Sequence, residues 1–168
     1  MGLLNTVLGR SKPAKPNLDD LFALPGAAVT LQAAADLLPT GVEGRAMSIK
    51  VVNDANDVID EITNDGGREM WTPDSWKAFI LRLRRWMKIF EVTARRNGLT
   101  PEAGFLLGGD KAGIADIVTA TLWGTLADKF PKIGDILPDQ APLIAGLTKR
   151  MWATKGFVEL AAFSKKRF

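Results

Sequence analysis

Apolar residues along this chain recur at intervals of three and four and almost nowhere alternate, so the pattern predicts helices. Between Val42 and Thr63, Met47, Val51, Ala55, Val58 and Ile62 form one stripe, with Lys50, Asn53, Asp54, Asp57, Asp60 and Glu61 opposite. Asn64-Asp65-Gly66-Gly67 stops that helix. A second long helix has well-marked ends. Thr72 suits the N-cap, Pro73 the first helical position and Asp74 the first turn, while Arg95 and Arg96 complement the negative end of the dipole before Asn97-Gly98. Its stripe is Trp76, Phe79, Ile80, Leu83, Met87, Phe90 and Ala94.

From Ile114 to about Lys129 the pattern changes. Ile117, Val118, Ala120, Leu122, Trp123, Leu126 and Ala127 leave few polar positions apart from threonines. A helix apolar nearly all round is expected at the centre of a fold. Pro101 is expected to open a short helical turn through Leu106, and Gly108-Gly109-Asp110 to make a tight connection. Phe130-Pro131 ends the apolar helix, Ala141-Pro142 opens another to about Ala153, and Phe157 to Phe163 forms a last short one. Upstream, residues 2–9 are amphipathic and residues 11–18 form a Pro- and Lys-bearing linker. Asn17 then caps a helix that Pro25-Gly26 stops, and Ala27 to Leu38 is a further helical stretch broken by Pro39-Thr40-Gly41. No strand pattern stands out. The expected architecture is all-α: a bundle of five to six helices over residues 38–168, preceded by an arm and linker over 1–37.

Composition narrows the chemistry more than any motif does. The 168 residues contain no Cys, no His and no Tyr. Disulfides, Cys- or His-ligated metals and His-based nucleophilic catalysis are thereby excluded. Net charge is only +3 but unevenly spread: residues 41–71 are net −4 and residues 72–100 net +5. Opposite signs on successive segments suit helices that pack antiparallel and attract. A nucleic-acid surface would need the basic segments to share one face, and no nucleic-acid partner is expected. No apolar run approaches a membrane span, and the first residues are too short for a signal sequence. A cytoplasmic protein without a membrane partner or a metal is the expectation.

One segment carries a family likeness: Phe105-Leu106-Leu107-Gly108-Gly109-Asp110-Lys111-Ala112-Gly113-Ile114-Ala115-Asp116-Ile117. It resembles the motif that opens the buried helix in the helical C-terminal half of bacterial glutathione S-transferases. The local reason for the motif is a capping box. Asp116 lies three residues after the N-cap and can return its carboxylate to free amides. The N-cap here is Gly113 where that family usually has Ser or Thr, so only half of the reciprocal box is present, at a cost of a few tenths of a kcal/mol. Val51 to Glu61, Gly67 to Pro73, Ala141-Pro142-Leu143-Ile144 and Met151-Trp152-Ala153 extend the likeness, in order, from about Leu38 to the end.

The resemblance implies site residues. In the family an aspartate early in the first C-terminal helix reaches the γ-glutamyl amino group of glutathione, often across a dimer. Asp57 is the nearest equivalent here and Asp54 the alternative; the plain reading of both is a solvated acidic face. The second-substrate pocket would draw on Trp76, Phe79, Leu83, Trp86 and Met87, although an apolar stripe at helical spacing is ordinarily core. Trp86, off the stripe beside Arg82 and Arg85, is the best placed of these to face a pocket. Arg82, Arg84, Arg85 and Lys88 form either an anion site or a solvated basic face. A thioredoxin-like half, which holds most of the family's glutathione site and its thiolate-stabilising Tyr, Ser or Cys, has no counterpart in residues 1–37. That region shows no βαβ pattern, and Ser11 is its only serine.

Residues 1–40 carry a second, shorter likeness. Met1-Gly2-Leu3-Leu4, Leu8-Gly9-Arg10-Ser11-Lys12-Pro13 and Asn17 to Pro25 resemble the N-terminus of small actinobacterial proteins associated with the phage-shock response. Two families would then join near Pro39–Gly44. Together these features suggest a binding or scaffolding module without its own glutathione site. The alternative is a transferase that conjugates glutathione to hydrophobic electrophiles, its thioredoxin-like half supplied by another chain or missing from this sequence. No catalytic residue is assigned and no covalently bound cofactor is expected; glutathione enters only as a substrate. The partners implied are a second copy or a thioredoxin-like chain.

Overall fold

The computed structural model describes residues 36–63 and 72–165. The arm, linker and helices expected over 1–35, the stop at residues 64–67 and the stretch 67–71 lie outside the described residues. The compact unit that contains all described elements spans Asp36–Phe168.

Six helices follow in order: α1 (Val42–Thr63), α2 (Pro73–Arg96), α3 (Ile114–Lys129), α4 (Pro131–Gln140), α5 (Pro142–Trp152) and α6 (Lys155–Lys165). The described residues contain no strand, as the periodicity requires. α3 is the hub, packing against α1, α4 and α5, while α2 packs across α5, α1 and α4. On α1 the buried residues are Ser48, Val51, Ala55, Val58 and Ile62. Met47, at the head of the expected stripe, is only half-buried. On α2 the buried stripe is Phe79, Leu83, Met87, Phe90 and Ala94, with Glu91. Phe90 meets Trp123 of α3 edge to face, with centroids 5.6 Å apart, the geometry that ring quadrupoles favour.

α2 starts as its residues direct: the Thr72 hydroxyl accepts from the Ser75 amide at 3.1 Å, and Pro73 occupies the first turn. Acidic α1 and basic α2 are joined by Arg82 Nε, which donates to Glu61 Oε2 at 3.3 Å.

Two expectations need correction. Residues 101–103 form bends and residues 106–107 a turn, in place of the expected helical turn. Gly104 takes φ +86°, left-handed backbone that ends any right-handed turn. The carbonyls of Pro101 and Gly104 accept from the Arg150 guanidinium at 3.1 and 3.0 Å. Conversely, Phe130-Pro131 does more than end α3. Phe130 is at once its C-cap and the N-cap of α4, an element the apolar pattern did not announce. Pro131 sits at the first helical position, where its missing N–H costs nothing, and Ile133 and Leu137 supply a buried pair one turn apart.

Candidate functional site

α3 carries apolar residues on nearly every side, but its neighbours cover only part of it. Ala115, Asp116, Thr119, Ala120, Leu122, Trp123, Gly124 and Leu126 are buried. Ile117 and Val118 are half-buried, and Thr121 and Thr125 are exposed. The open side faces α1 across a cleft of about 280 Å³. Ala55, Asn56 and Ile59 line it from α1, and Ile117, Val118, Thr121, Leu122, Thr125 and Leu126 from α3. Ile59 is 45% exposed, a large aliphatic held at the mouth.

The chemistry of this cleft is limited. Its polar groups are the Asn56 amide and two threonine hydroxyls, and no ionisable side chain lines it. Thr121 already donates its proton to the Ile117 carbonyl at 2.7 Å. Such a wall offers no general acid, no general base and no counter-charge. It suits an apolar surface, with Asn56 left to fix orientation.

The residues implied by the family likeness do not converge on the cleft. Asp57 is exposed and without a partner among the described residues. Asp54 is paired with Lys50 on its own helix. Three residues apart, Asp54 and Asp57 lie about 60° from overlap on the helix, and neither lines the cleft. Phe79, Leu83 and Met87 are completely buried, so as placed they are core and present no surface to a substrate. Trp76 is half-buried, tilted against Phe79 at 6.1 Å, with the Lys132 ammonium 5.2 Å from its ring centre. Trp86 is half-buried too, and its Nε1 donates to Glu61 Oε1 at 3.0 Å. Both tryptophans therefore tie α2 to a neighbour: Trp76 to α4, Trp86 to α1.

Asp116 is 3% exposed and joins two segments. Its Oδ2 accepts from the Gly113 amide at 2.8 Å and its Oδ1 from the Leu106 amide at 2.7 Å. The first bond is the expected half-box. The Gly113 carbonyl completes the turn by accepting from the Asp116 and Ile117 amides at 3.1 and 3.2 Å. Burial pushes the Asp116 carboxyl above its ordinary range, and the amide bonds from Leu106 and Gly113 oppose that rise without cancelling it. The group anchors the loop to the hub helix.

Three further determinants escaped the residue pattern. Glu91 is 6% exposed. Its Oε2 accepts from the Leu143 and Ile144 amides at 3.1 and 3.4 Å, capping α5 from across the bundle, while Arg95 holds its other oxygen at 3.2 Å. An acid on the otherwise apolar stripe side of a basic helix is its only signal in the sequence. Arg150 clamps the 101–104 loop, as described above. Trp152 donates from Nε1 to the Ala120 carbonyl at 2.8 Å, lying against Gly124, where a Cβ would overlap the indole. Among the described residues no group of carboxylates could hold a metal ion, and no helix is long and apolar enough to cross a membrane.

Two family matches cover the chain. Residues 1–73 match the family described as PspA associated protein B. Residues 47–168 match the family described as glutathione S-transferase, C-terminal domain. The two overlap over residues 47–73, so most of α1 is common to both. No curated protein matches the chain. The second match spans well over half of the sequence and accords with the all-helical hub-and-bundle fold, so the chain belongs to the glutathione S-transferase C-terminal-domain family.

Proposed function

We propose that this chain is a binding module that carries out no glutathione chemistry of its own, and that its α1–α3 cleft receives an apolar surface of a thioredoxin-like partner. The observation that supports this is the cleft wall itself: an open, apolar side of the hub helix with no charged group along it. Glutathione brings two carboxylates, an ammonium and a thiol. Removing those groups from water against aliphatic side chains costs several kcal/mol per unpaired charge. An apolar protein surface pays no such penalty, and covering Ile59, Ile117 and Val118 gains roughly 25 cal/mol for each Å² removed from water.

Calorimetric titration of the 168-residue chain with glutathione and S-hexylglutathione tests the reading. Glutathione produces no binding heat at millimolar concentration. S-hexylglutathione binds weakly through its alkyl chain, and Ile117→Asp abolishes that binding whereas Asp57→Ala leaves it unchanged. Micromolar glutathione binding that Asp57→Ala removes would overturn the proposal and leave the transferase reading in its place.

A further inference from the structure

α2 carries seven cations and two acids. Arg82 turns to Glu61 on α1. The other six cations, Lys77, Arg84, Arg85, Lys88, Arg95 and Arg96, are all exposed. At 100° per residue they fall within about 120° of arc and run about 29 Å along the axis. Leu81, 59% exposed, and half-buried Val92 lie along the middle of this stripe, three turns and about 17 Å apart. Both acids are committed: Asp74 pairs with Lys77 and Glu91 with Arg95. Arg84, Arg85, Lys88 and Arg96 make no ion pair or side-chain hydrogen bond with any described residue. Arg84 and Arg85 stand one turn from Lys88, a spacing at which like charges repel and weaken a helix. An acidic partner would remove that repulsion.

The neighbours of the stripe decide what fits over it. α1 lies along one edge, where Arg82 and Trp86 donate to Glu61. That edge is acidic: Asp57, within about 40° of Glu61 round the α1 axis, is exposed. α4 lies along the other edge, where the Lys132 ammonium stands over the Trp76 ring. The basic surface is therefore one helix wide, about 10–12 Å with side chains. A duplex nucleic acid or an anionic bilayer is broader and would press phosphates against α1 as well. A single helix matches the width, the length and the three-turn spacing of Leu81 and Val92. We infer that the exposed stripe of α2 docks an acidic amphipathic helix of a partner protein. Its carboxylates pair with Arg84, Arg85, Lys88 and Arg96, and its aliphatic side chains cover Leu81 and Val92. The charges speed encounter and set register, while the aliphatic contacts slow release. α2 contributes no residue to the α1–α3 cleft, so this contact is separate from the one proposed there.

Fluorescence anisotropy of the full chain tests this with a labelled helical peptide of about 22 residues, carrying leucines three turns apart and glutamates around them on the same face. At about 0.15 M salt the wild type should bind it with a micromolar dissociation constant. Arg84→Glu/Arg85→Glu/Lys88→Glu should weaken binding at least about tenfold, and Leu81→Ser about threefold. A peptide with lysines at the central glutamate positions should prefer the reversed chain to the wild type. Ile117→Asp, in the cleft, should leave binding unchanged. Polyglutamate of equal charge, a DNA duplex of about 20 base pairs and phosphatidylglycerol vesicles should each bind at least about tenfold more weakly than the helical peptide. A wild type that ignores the helical peptide would overturn the inference. So would a folded reversed or Leu81→Ser chain that binds it as wild type does, or a wild type that takes polyglutamate, duplex or vesicles as tightly. Circular dichroism of the variants separates loss of binding from loss of fold.

Discussion

α2 and α3 are the two helices that organise the bundle, and they are specified in different ways. α2 is sharply amphipathic: one stripe is buried, the opposite face is basic, and the Thr72 hydroxyl and Pro73 mark its start. Its rotation about its own axis follows from its residues alone, since any other rotation would bury arginines. α3 is apolar nearly all round, so burial energy hardly distinguishes one rotation from another. Its orientation comes from specific polar and steric contacts: Asp116 at the N-terminus and Gly124 beneath the Trp152 indole. The side those contacts leave open is the cleft. An amphipathic helix carries its orientation in its pattern; an apolar one needs fixed points, and its spare apolar side becomes available for binding.

The largest break in that contrast is Asp116→Ala. It strands two amides, one of them the buried Leu106 amide, and unfastens the loop from α3. Leaving buried donors unpaired costs about 3 kcal/mol for the two. Thr72→Ala on α2 removes one exposed capping bond and costs about 1 kcal/mol. Urea denaturation of both variants measures the difference, and equal losses would mean that α3 is held by its apolar contacts after all. The same carboxyl sets a pH signature. Its folded value is raised by burial, so the folded state binds the proton more tightly than the unfolded chain. Wild type therefore gains stability relative to Asp116→Asn as pH falls through that raised value towards the ordinary carboxylate range, and loses the gain as pH rises. The stability gap between the two should be wider at pH 4 than at pH 7.

How much was legible follows the same divide. The bounds of α1, α2 and α3 could be taken from stripes and caps, because amphipathic periodicity and Thr72-Pro73 are local signals. α4 was not legible: Pro131 reads equally as a stop and as a first helical residue, and Phe130 serves both helices. The Asp116 bond to Gly113 is local and was foreseen; its bond to Leu106 crosses ten residues of loop and was not. Glu91 reaches α5 over more than fifty positions, beyond any window of local pattern. The cleft is the least legible feature, since composition shows that α3 is apolar but not which side its neighbours leave uncovered.

Gly124→Ala sharpens the comparison at a second fixed point. The added methyl displaces the Trp152 indole and breaks its 2.8 Å bond to the Ala120 carbonyl. The indole lies at the end of α5 and is 36% exposed, so it can swing away, and the cost is about 2 kcal/mol. Ala78→Gly on the exposed side of α2 costs about 1 kcal/mol through propensity alone. Tryptophan fluorescence distinguishes the two, because only Gly124→Ala moves an indole into water.

The smallest effect has the opposite sign. The Thr119 hydroxyl on α3 is completely buried and finds no hydrogen-bond partner among the described residues. On α2 the buried polar residue, Glu91, has both oxygens engaged. Replacing a satisfied group strands its partners, whereas replacing an unsatisfied one by an apolar group of the same shape relieves a desolvation cost. Thr119→Val keeps the β-branch and the volume, so it should be neutral or stabilise the chain by up to about 1 kcal/mol, while Glu91→Ala should destabilise by about 2 kcal/mol. Thermal unfolding of the pair checks the sign. If Thr119→Val lowered the melting temperature by several degrees, its hydroxyl would have to be making a bond inside the bundle, and α3 would have a further polar fixed point on its buried side.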